Sequence, residues 1–213
     1  MIGRKLVLGI TLLLIGFILL SIPIYDGWKQ SRDSQALEEA LELIKEQGEL
    51  METNYESSSN RKLEKQIDST FSNEELRNVI ELEIPSIDLK EKVLTETNEL
   101  NLSIALTQLK PNQVVGKGNF AIAGHRGYLN EDYFLNLPEV KKDDEIFLHA
   151  QGNKYVYKVK EINEIEPTEV EVVSDREGKK EVTLITCTTD GRNRIAVTGE
   201  LAYIAEVKEE EDS

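Results

Sequence analysis

A long apolar run near the N-terminus is the strongest hydrophobic signal in the chain. Residues 6–25 carry no charged side chain, Arg4 and Lys5 precede them, and Asp26 follows. A helix rises about 1.5 Å per residue, so about 20 apolar residues span a hydrocarbon core of about 30 Å. The run therefore predicts a transmembrane helix, and the basic residues before it favour a cytoplasmic N-terminus with the rest of the chain outside.

A cleaved signal peptide is the alternative interpretation of this run. Its apolar region would be shorter and would end in a small-x-small cleavage site, which "LLSIPIYDG" matches poorly. We therefore expect residues 1–25 to form a cytoplasmic tip and an uncleaved signal anchor, with Tyr25 and Trp28 at the outer interface. No second run of this length follows, so a single span is expected.

Residues 26–78 read as a juxtamembrane helix followed by a polar linker. The apolar positions of "SQALEEALELIKEQG" recur at i, i+3, i+4 and i+7, and Ser34 is a suitable N-cap. "ETNYESSSNRKLEKQ" has the composition of a linker, and a second short helix is predicted over 72–78. The first helix is interpreted as a stalk or as a segment that folds back on the domain and regulates it.

From residue 79 to residue 213 the pattern changes to short strand-like segments separated by turn residues. The predicted strands include VIELEI, NFAIAGHRG, DEIFLHA, NKYVYKVKEI, EVTLITC and RIAVTGEL. "QGN" is predicted to join the third and fourth of these as a hairpin, and "NLSIALTQL" is an ambiguous candidate for a short helix. Many short strands with closely spaced turns predict a β-sandwich or a β-barrel.

The charge balance excludes one class of partner. The 213 residues include 40 acidic and 25 basic side chains, which gives a formal net charge of −15. A nucleic-acid footprint needs clustered Lys and Arg, so DNA and RNA are not expected partners. The acidic surface identifies no other partner, because acidic surfaces usually serve solubility.

The chain has a single cysteine, Cys187, at the end of a predicted strand. Outside the cytoplasm cysteines normally pair, so a lone one is an intermolecular disulfide site or a free reactive thiol. A buried structural cysteine is the plain alternative, and composition alone does not exclude it.

Strand geometry brings candidate chemical groups together, because alternate side chains of a strand share one face. Three sets of residues are predicted to share faces in this way: Thr183, Ile185 and Cys187; Ala121, Ala123 and His125; and Arg194, Ala196 and Thr198. We therefore expect a cysteine, a histidine and an arginine to converge at the rim of a barrel, above a shallow apolar floor.

This trio suits acyl transfer. The thiolate is the nucleophilic form of cysteine, and an imidazole can activate it or donate a proton to a leaving amine. Arginine supplies a permanent positive charge that stabilises a developing oxyanion or binds the substrate backbone.

The motifs that carry these residues resemble those of the sortase family, and within it the class A type. The resemblance rests on "TLITC" at 183–187, "RIAVTGEL" from Arg194, "GKGNFAIAGHRG" at 116–127 and "LEIPSIDL" around Pro85. It covers about residues 79–205. It implies a membrane-anchored extracellular cysteine transpeptidase, built on a mainly β, closed eight-stranded barrel with short helices.

The resemblance also implies roles for individual residues. Cys187 would attack the Thr–Gly bond of an LPxTG-type sorting signal and form a thioester, His125 would be the general acid and then base, and Arg194 would steady the oxyanion. The residues implied for substrate binding are Ala123, Thr183, Ile185 and Thr186. The implied partners are LPxTG-bearing surface proteins and the amine of a peptidoglycan precursor.

Several alternatives stay open at this point. Arg192, in the turn, competes with Arg194, although family arginines open the last strand. A class D sortase with a variant signal, a Cys hydrolase, and a non-enzymatic extracellular domain that binds peptide or wall polymer are the other functional interpretations. We expect His149 to be a surface residue, and no metal or cofactor, including calcium, is expected, since no acidic spacing specifies a site.

Overall fold

The structure is a computed structural model. It describes Leu37, Leu41, Leu76 and residues 78–127 and 133–206. The chain divides into two compact units, Met1–Tyr55 and Glu56–Ser213.

In the first unit Leu37 and Leu41 are helical, and Leu37 is buried. Both belong to the predicted juxtamembrane helix, whose other residues lie outside the described part of the chain. The predicted membrane helix over residues 6–25 and the linker also lie outside it. Within the described residues, no helix has the length and apolar character needed to cross a membrane.

The described residues of the second unit form eight β-strands and a few short helices. The strands are β1 (Ile80–Ile84), β2 (Leu89–Leu94), β3 (Leu106–Gln108), β4 (Gly118–Ala123), β5 (Glu145–Ala150), β6 (Asn153–Ile165), β7 (Lys180–Cys187) and β8 (Arg194–Glu206). Helix α1 covers Glu99–Ile104, and 3₁₀-helices cover Pro85–Ile87, Leu137–Glu139 and Val170–Val173.

The strands close into a barrel in the order β1-β2-β3-β4-β7-β8-β6-β5. The β2–β3 and β4–β7 pairs are parallel, and the remaining pairs are antiparallel. The prediction of a mainly β, closed eight-stranded barrel with short helices is therefore confirmed. All six strands predicted from the sequence occur, with ends that differ by a few residues.

The barrel interior is filled by one side of every long strand. In β1, Ile80, Leu82 and Ile84 point into the core while Glu81 and Glu83 do not, as the alternation in the sequence predicts. Each fully buried aliphatic side chain contributes about 1.5–3 kcal/mol to stability. The same alternation places Phe120, Ile122, Val182, Leu184 and Val197 inside the barrel.

A tight turn joins β5 and β6. Gln151 and Gly152 both have positive φ, at 51° and 70°, as the central residues of a two-residue type I′ turn require. The strands pair antiparallel from Glu145 opposite Lys158 to Ala150 opposite Asn153. The predicted hairpin is therefore confirmed.

The segment "NLSIALTQL" divides between a helix and a strand. Helix α1 begins after Asn98, whose side chain accepts a hydrogen bond from the Asn101 amide at 2.8 Å, and it ends where Ala105 turns extended. The last residues of the segment form β3 beside β2 and β4. Apolar spacing could not separate the two because each element is very short.

The connection from β6 to β7, residues 166–179, crosses the outside of the barrel. Its 3₁₀-helix contacts β4, and β6 leads into it after Ile165, which pairs with Arg194. The connection therefore starts beside the first residue of β8 and packs over neighbouring strands.

Candidate active site

Cys187 is the last residue of β7 and pairs with Arg194, the first residue of β8. Its thiol is free and partly exposed. The thiol therefore lies at one end of the barrel, within reach of solvent, with the arginine in register on the neighbouring strand.

The outer face of β4, β7 and β8 carries the residues that strand alternation groups together. Ala121 pairs with Thr183, and Ala123 pairs with Ile185. On the other side of β7 the register continues with three further pairs: Thr183 with Thr198, Ile185 with Ala196, and Cys187 with Arg194. Because the intervening residues fill the core, this row faces away from the barrel interior.

His125 follows β4 and is held level with the end of β7 by its neighbours. The Gly124 amide donates to the Ile185 carbonyl at 3.1 Å, and the Phe134 amide donates to the carbonyl of His125 at 3.0 Å. Its ring is exposed. The β4–β7 register ends where Ala123 pairs with Ile185, so His125 lies two residues beyond β4, at the same end of the barrel as Cys187.

Thr186 supports this arrangement from the buried side. Its hydroxyl donates to the Gly124 carbonyl at 2.9 Å, and the residue is 2% exposed. The structure thus places Thr186 behind the outer face, as a tie between β7 and the residue before His125. The family resemblance grouped Thr186 with the substrate-binding residues, and no pattern in the sequence indicated this bond.

The two candidate arginines occupy different environments. Arg194 is partly buried, and its Nη1 donates to the carbonyls of Asn193 at 3.0 Å and Gly191 at 3.3 Å. The Arg192 side chain is 85% exposed and lies 3.6 Å from a carboxylate oxygen of Asp190. Of the two, Arg194 is the one in strand register with Cys187.

The β7–β8 turn is held by its own polar groups. Thr188 donates its hydroxyl to Asp190 at 2.6 Å, and its backbone amide donates to the Asn193 carbonyl at 2.9 Å. The bond from Thr188 and a second one from the Arg192 amide hold the pKa of Asp190 below its ordinary value. The turn therefore has a defined shape next to the thiol, and its carboxylate stays ionised at neutral pH.

The residues predicted to bind the substrate on the outer face differ in exposure. Ala123 and Ile185 are partly exposed, whereas Thr183 is fully buried. The Thr183 hydroxyl donates to Asn119 Oδ1 at 2.8 Å. The open part of the outer face therefore extends from Cys187 to Ile185 and ends at Thr183.

His149 lies apart from this site, on β5. Its Nε2 is 3.0 Å from a carboxylate oxygen of Glu83 on the neighbouring strand β1. Among residues 78–127 and 133–206, no three His, Cys, Asp or Glu side chains converge closely enough to hold a metal ion.

The site combines a nucleophile, an acid–base group and a fixed cation at one end of the barrel. A thiolate at Cys187 can attack a carbonyl carbon, an imidazole at His125 can donate and accept the proton of an amine, and Arg194 can neutralise an oxyanion. These are the components of acyl transfer through a thioester.

Comparison with known proteins points the same way. A family model for the Sortase domain matches residues 82–202. Sortase A of Bacillus anthracis is 35% identical over 204 residues, which cover 92% of this chain and 93% of that relative. Sortase A of Listeria monocytogenes is 38% identical over 120 residues, or 55% of this chain and 54% of that relative.

Solved structures agree with the sequence comparison. A crystal structure of Listeria monocytogenes sortase A superposes with a TM-score of 0.59 at 34% identity, covering 63% of this chain and 93% of that one. A structure of Clostridium perfringens sortase C with the C-terminal cell wall sorting motif gives a TM-score of 0.54 at 27% identity, covering 58% of this chain and 69% of that one. On the family model and the near full-length relative together, the chain belongs to the sortase family of transpeptidases.

Proposed function

We propose that this sortase cleaves an LPxTG-type sorting signal between Thr and Gly and transfers the Thr acyl group to the amine of a peptidoglycan precursor. The observation that carries the proposal is the register that sets Cys187 opposite Arg194, with the end of β4 tied to the same level of β7. The similarity to Clostridium perfringens sortase C, whose structure includes the C-terminal cell wall sorting motif, supports this class of substrate.

The first half-reaction forms a thioester. The Cys187 thiolate attacks the Thr carbonyl carbon, and Arg194 stabilises the oxyanion of the tetrahedral intermediate. The C–N bond to Gly then breaks, and the protonated His125 ring donates its proton to the leaving amine.

The second half-reaction resolves the thioester. Neutral His125 accepts a proton from the incoming amine, the amine nitrogen attacks the thioester carbon, and the Cys187 thiolate leaves. No cofactor enters this scheme, since thiol, imidazole and guanidinium supply the nucleophile, the proton transfers and the charge stabilisation.

We also propose that the enzyme is anchored in the cell membrane by residues 6–25, with residues 79–213 outside. Sortases are associated with the cell surface, where LPxTG-bearing proteins and wall precursors are available.

The test uses the full-length protein in detergent micelles with a labelled LPxTG peptide and mass spectrometry of enzyme and products. We expect an acyl adduct on Cys187. Without added amine, the product should be a cleaved peptide that ends in a Thr carboxylate, and when triglycine is added it should be the ligated peptide. Cys187→Ala should form no adduct, and EDTA should leave the rate unchanged.

Three results would contradict parts of the proposal. Hydrolysis without ligation by any amine would indicate a hydrolase. Absence of an adduct, together with a Cys187 thiol inert to iodoacetamide, would favour a non-enzymatic binding domain. A rate lost in EDTA and restored by calcium would overturn the cofactor-free scheme.

A further inference from the structure

Part of the outer face is buried although it lies outside the barrel. Ala121 and Thr183 have no exposed surface, and Ala196 is only 1% exposed. The β6–β7 connection, residues 166–179, lies over the β4 and β7 part of this region, since its 3₁₀-helix contacts β4 and Asn119 Nδ2 donates to the Val172 carbonyl. The connection therefore acts as a wall beside the partly exposed positions that lead to Cys187.

One buried side chain joins this wall to the strands below it. Asn119, at the start of β4, is 2% exposed. Its Nδ2 donates to the carbonyls of Val172 at 3.0 Å and Ser174 at 3.4 Å, and its Oδ1 accepts from the Thr183 hydroxyl at 2.8 Å. A single amide thus joins β4, β7 and the connection.

Charged groups reinforce the same end of the connection. The Asp175 carboxylate accepts a hydrogen bond from the backbone amide of Asn119 at 3.0 Å and another from Lys110 Nζ at 2.7 Å. The bond from Lys110 lowers the pKa of Asp175. Arg176 donates two bonds to Glu181 on β7, at 2.8 and 2.6 Å. The connection is therefore fixed at residues 172–176, whereas Val170 before them is 66% exposed.

The hydrogen bond between Asn119 and Thr183 also marks where the exposed part of the outer face ends. Along β7, Cys187 and Ile185 are partly exposed and Thr183 is buried. Strand residues rise about 3.3 Å each, so the open stretch from Cys187 to Ile185 is about 7 Å long and accommodates about two extended peptide residues.

We propose that Asn119 is a positioning residue for substrate binding. It holds residues 172–174 against the outer face of β4 and β7. This contact fixes one wall of a groove for the substrate peptide and closes that groove at Thr183. This inference rests on the proposed peptide substrate. Asn119 touches no reacting atom, so it acts on binding of the sorting signal and not on the chemical steps.

Two variants separate this role from general stability. Asn119→Leu removes all the polar atoms of the side chain, and Asn119→Asp keeps its shape and the acceptor for Thr183 but loses both donors to the connection. In each, the carbonyls of Val172 and Ser174 lose a buried partner, which favours release of the connection. We expect KM for the LPxTG peptide to rise about tenfold with kcat within about twofold of wild type.

The control is Tyr157→Phe, which deletes a buried hydrogen bond of 3.0 Å between the Tyr157 hydroxyl and the Gly116 amide. It should lower the melting temperature without raising KM. Thr183→Val keeps both bonds from Asn119 to the connection and should raise KM less than either Asn119 variant does.

A second readout does not depend on activity. A glutamate-specific protease should cut after Glu169 and Glu171 faster in the Asn119 variants than in Tyr157→Phe at equal fractions of folded protein. Unchanged KM in a folded Asn119 variant, or cleavage no faster than in the control, would overturn the inference. If the wild-type enzyme forms no thioester, the proposed function fails, and the proteolysis still decides whether Asn119 holds the connection.

Discussion

Gly124 is a position near the site where a side chain has no room. A Cβ there would collide with the side chains of Leu106 and Phe134. Its amide and carbonyl are both used, by Ile185 and Thr186. The backbone just before His125 is therefore fixed on both sides, which sets the position of the His125 main chain relative to β7.

Arg194→Lys should lower kcat/KM for the sorting peptide by about 10²–10³-fold, because an ammonium cannot reproduce the planar guanidinium fork to which the proposed mechanism assigns the oxyanion. Arg192→Lys is the matched control and should stay within about twofold, since Arg192 is almost fully exposed in the turn. Steady-state peptide cleavage measures both variants. A larger loss in Arg192→Lys would assign the oxyanion role to the turn.

At the scale of elements, the β1–β2 pair is held by a partly buried charge cluster. Glu81 lies 2.9 Å from Lys92 and 3.1 Å from Lys90, both on β2. Burial raises the pKa of Glu81, but hydrogen bonds and charge attraction from Lys92 and Lys90 outweigh it, and the net pKa lies below its ordinary value.

The lowered pKa gives a pH dependence with a definite sign. The stabilisation is fully present above the unfolded pKa of about 4.3 and is lost as the pH falls through the lower folded value. Glu81→Gln should therefore cost on the order of 0.5 kcal/mol at pH 7 and less at about pH 2.5, as measured by urea unfolding. An equal cost at both pH values would show that packing, not charge, is responsible.

The sequence predicts the elements best where the pattern is long. Alternation placed Cys187, Ile185 and Thr183 on one face correctly, because a strand leaves no other choice. It could not show that Thr183 is covered, since its cover comes from the distant β6–β7 connection. Strand β2 (LKEKVL) was missed because charged residues interrupt its apolar positions, and the role of Asn119 carries no local signal at all.

At the scale of the whole molecule, a net charge of −15 on 213 residues supplies no electrostatic attraction to an anionic membrane surface. Anionic lipid headgroups repel such a chain. We therefore propose that retention at the cell surface rests on the apolar N-terminal run, which is the one segment of sufficient length in the sequence.

Removing residues 1–28 should release the protein from the membrane. We expect the full-length chain to sediment with washed membranes, to resist extraction by high salt, and to be cut by external protease in intact protoplasts. The truncated chain should remain in the soluble fraction. Release of the full-length chain by salt alone would contradict the anchor, since salt weakens charge interactions and not apolar insertion.

The parallel pairing of β4 and β7 has a consequence for the order of folding. Gly124 and Thr186, which join the two strand ends, are 62 positions apart. Contacts between such distant parts of a chain form slowly, because the intervening loop must first be closed. His125 therefore emerges from the ribosome well before Cys187, and the pair that the proposed mechanism requires comes together only once β4 and β7 have paired.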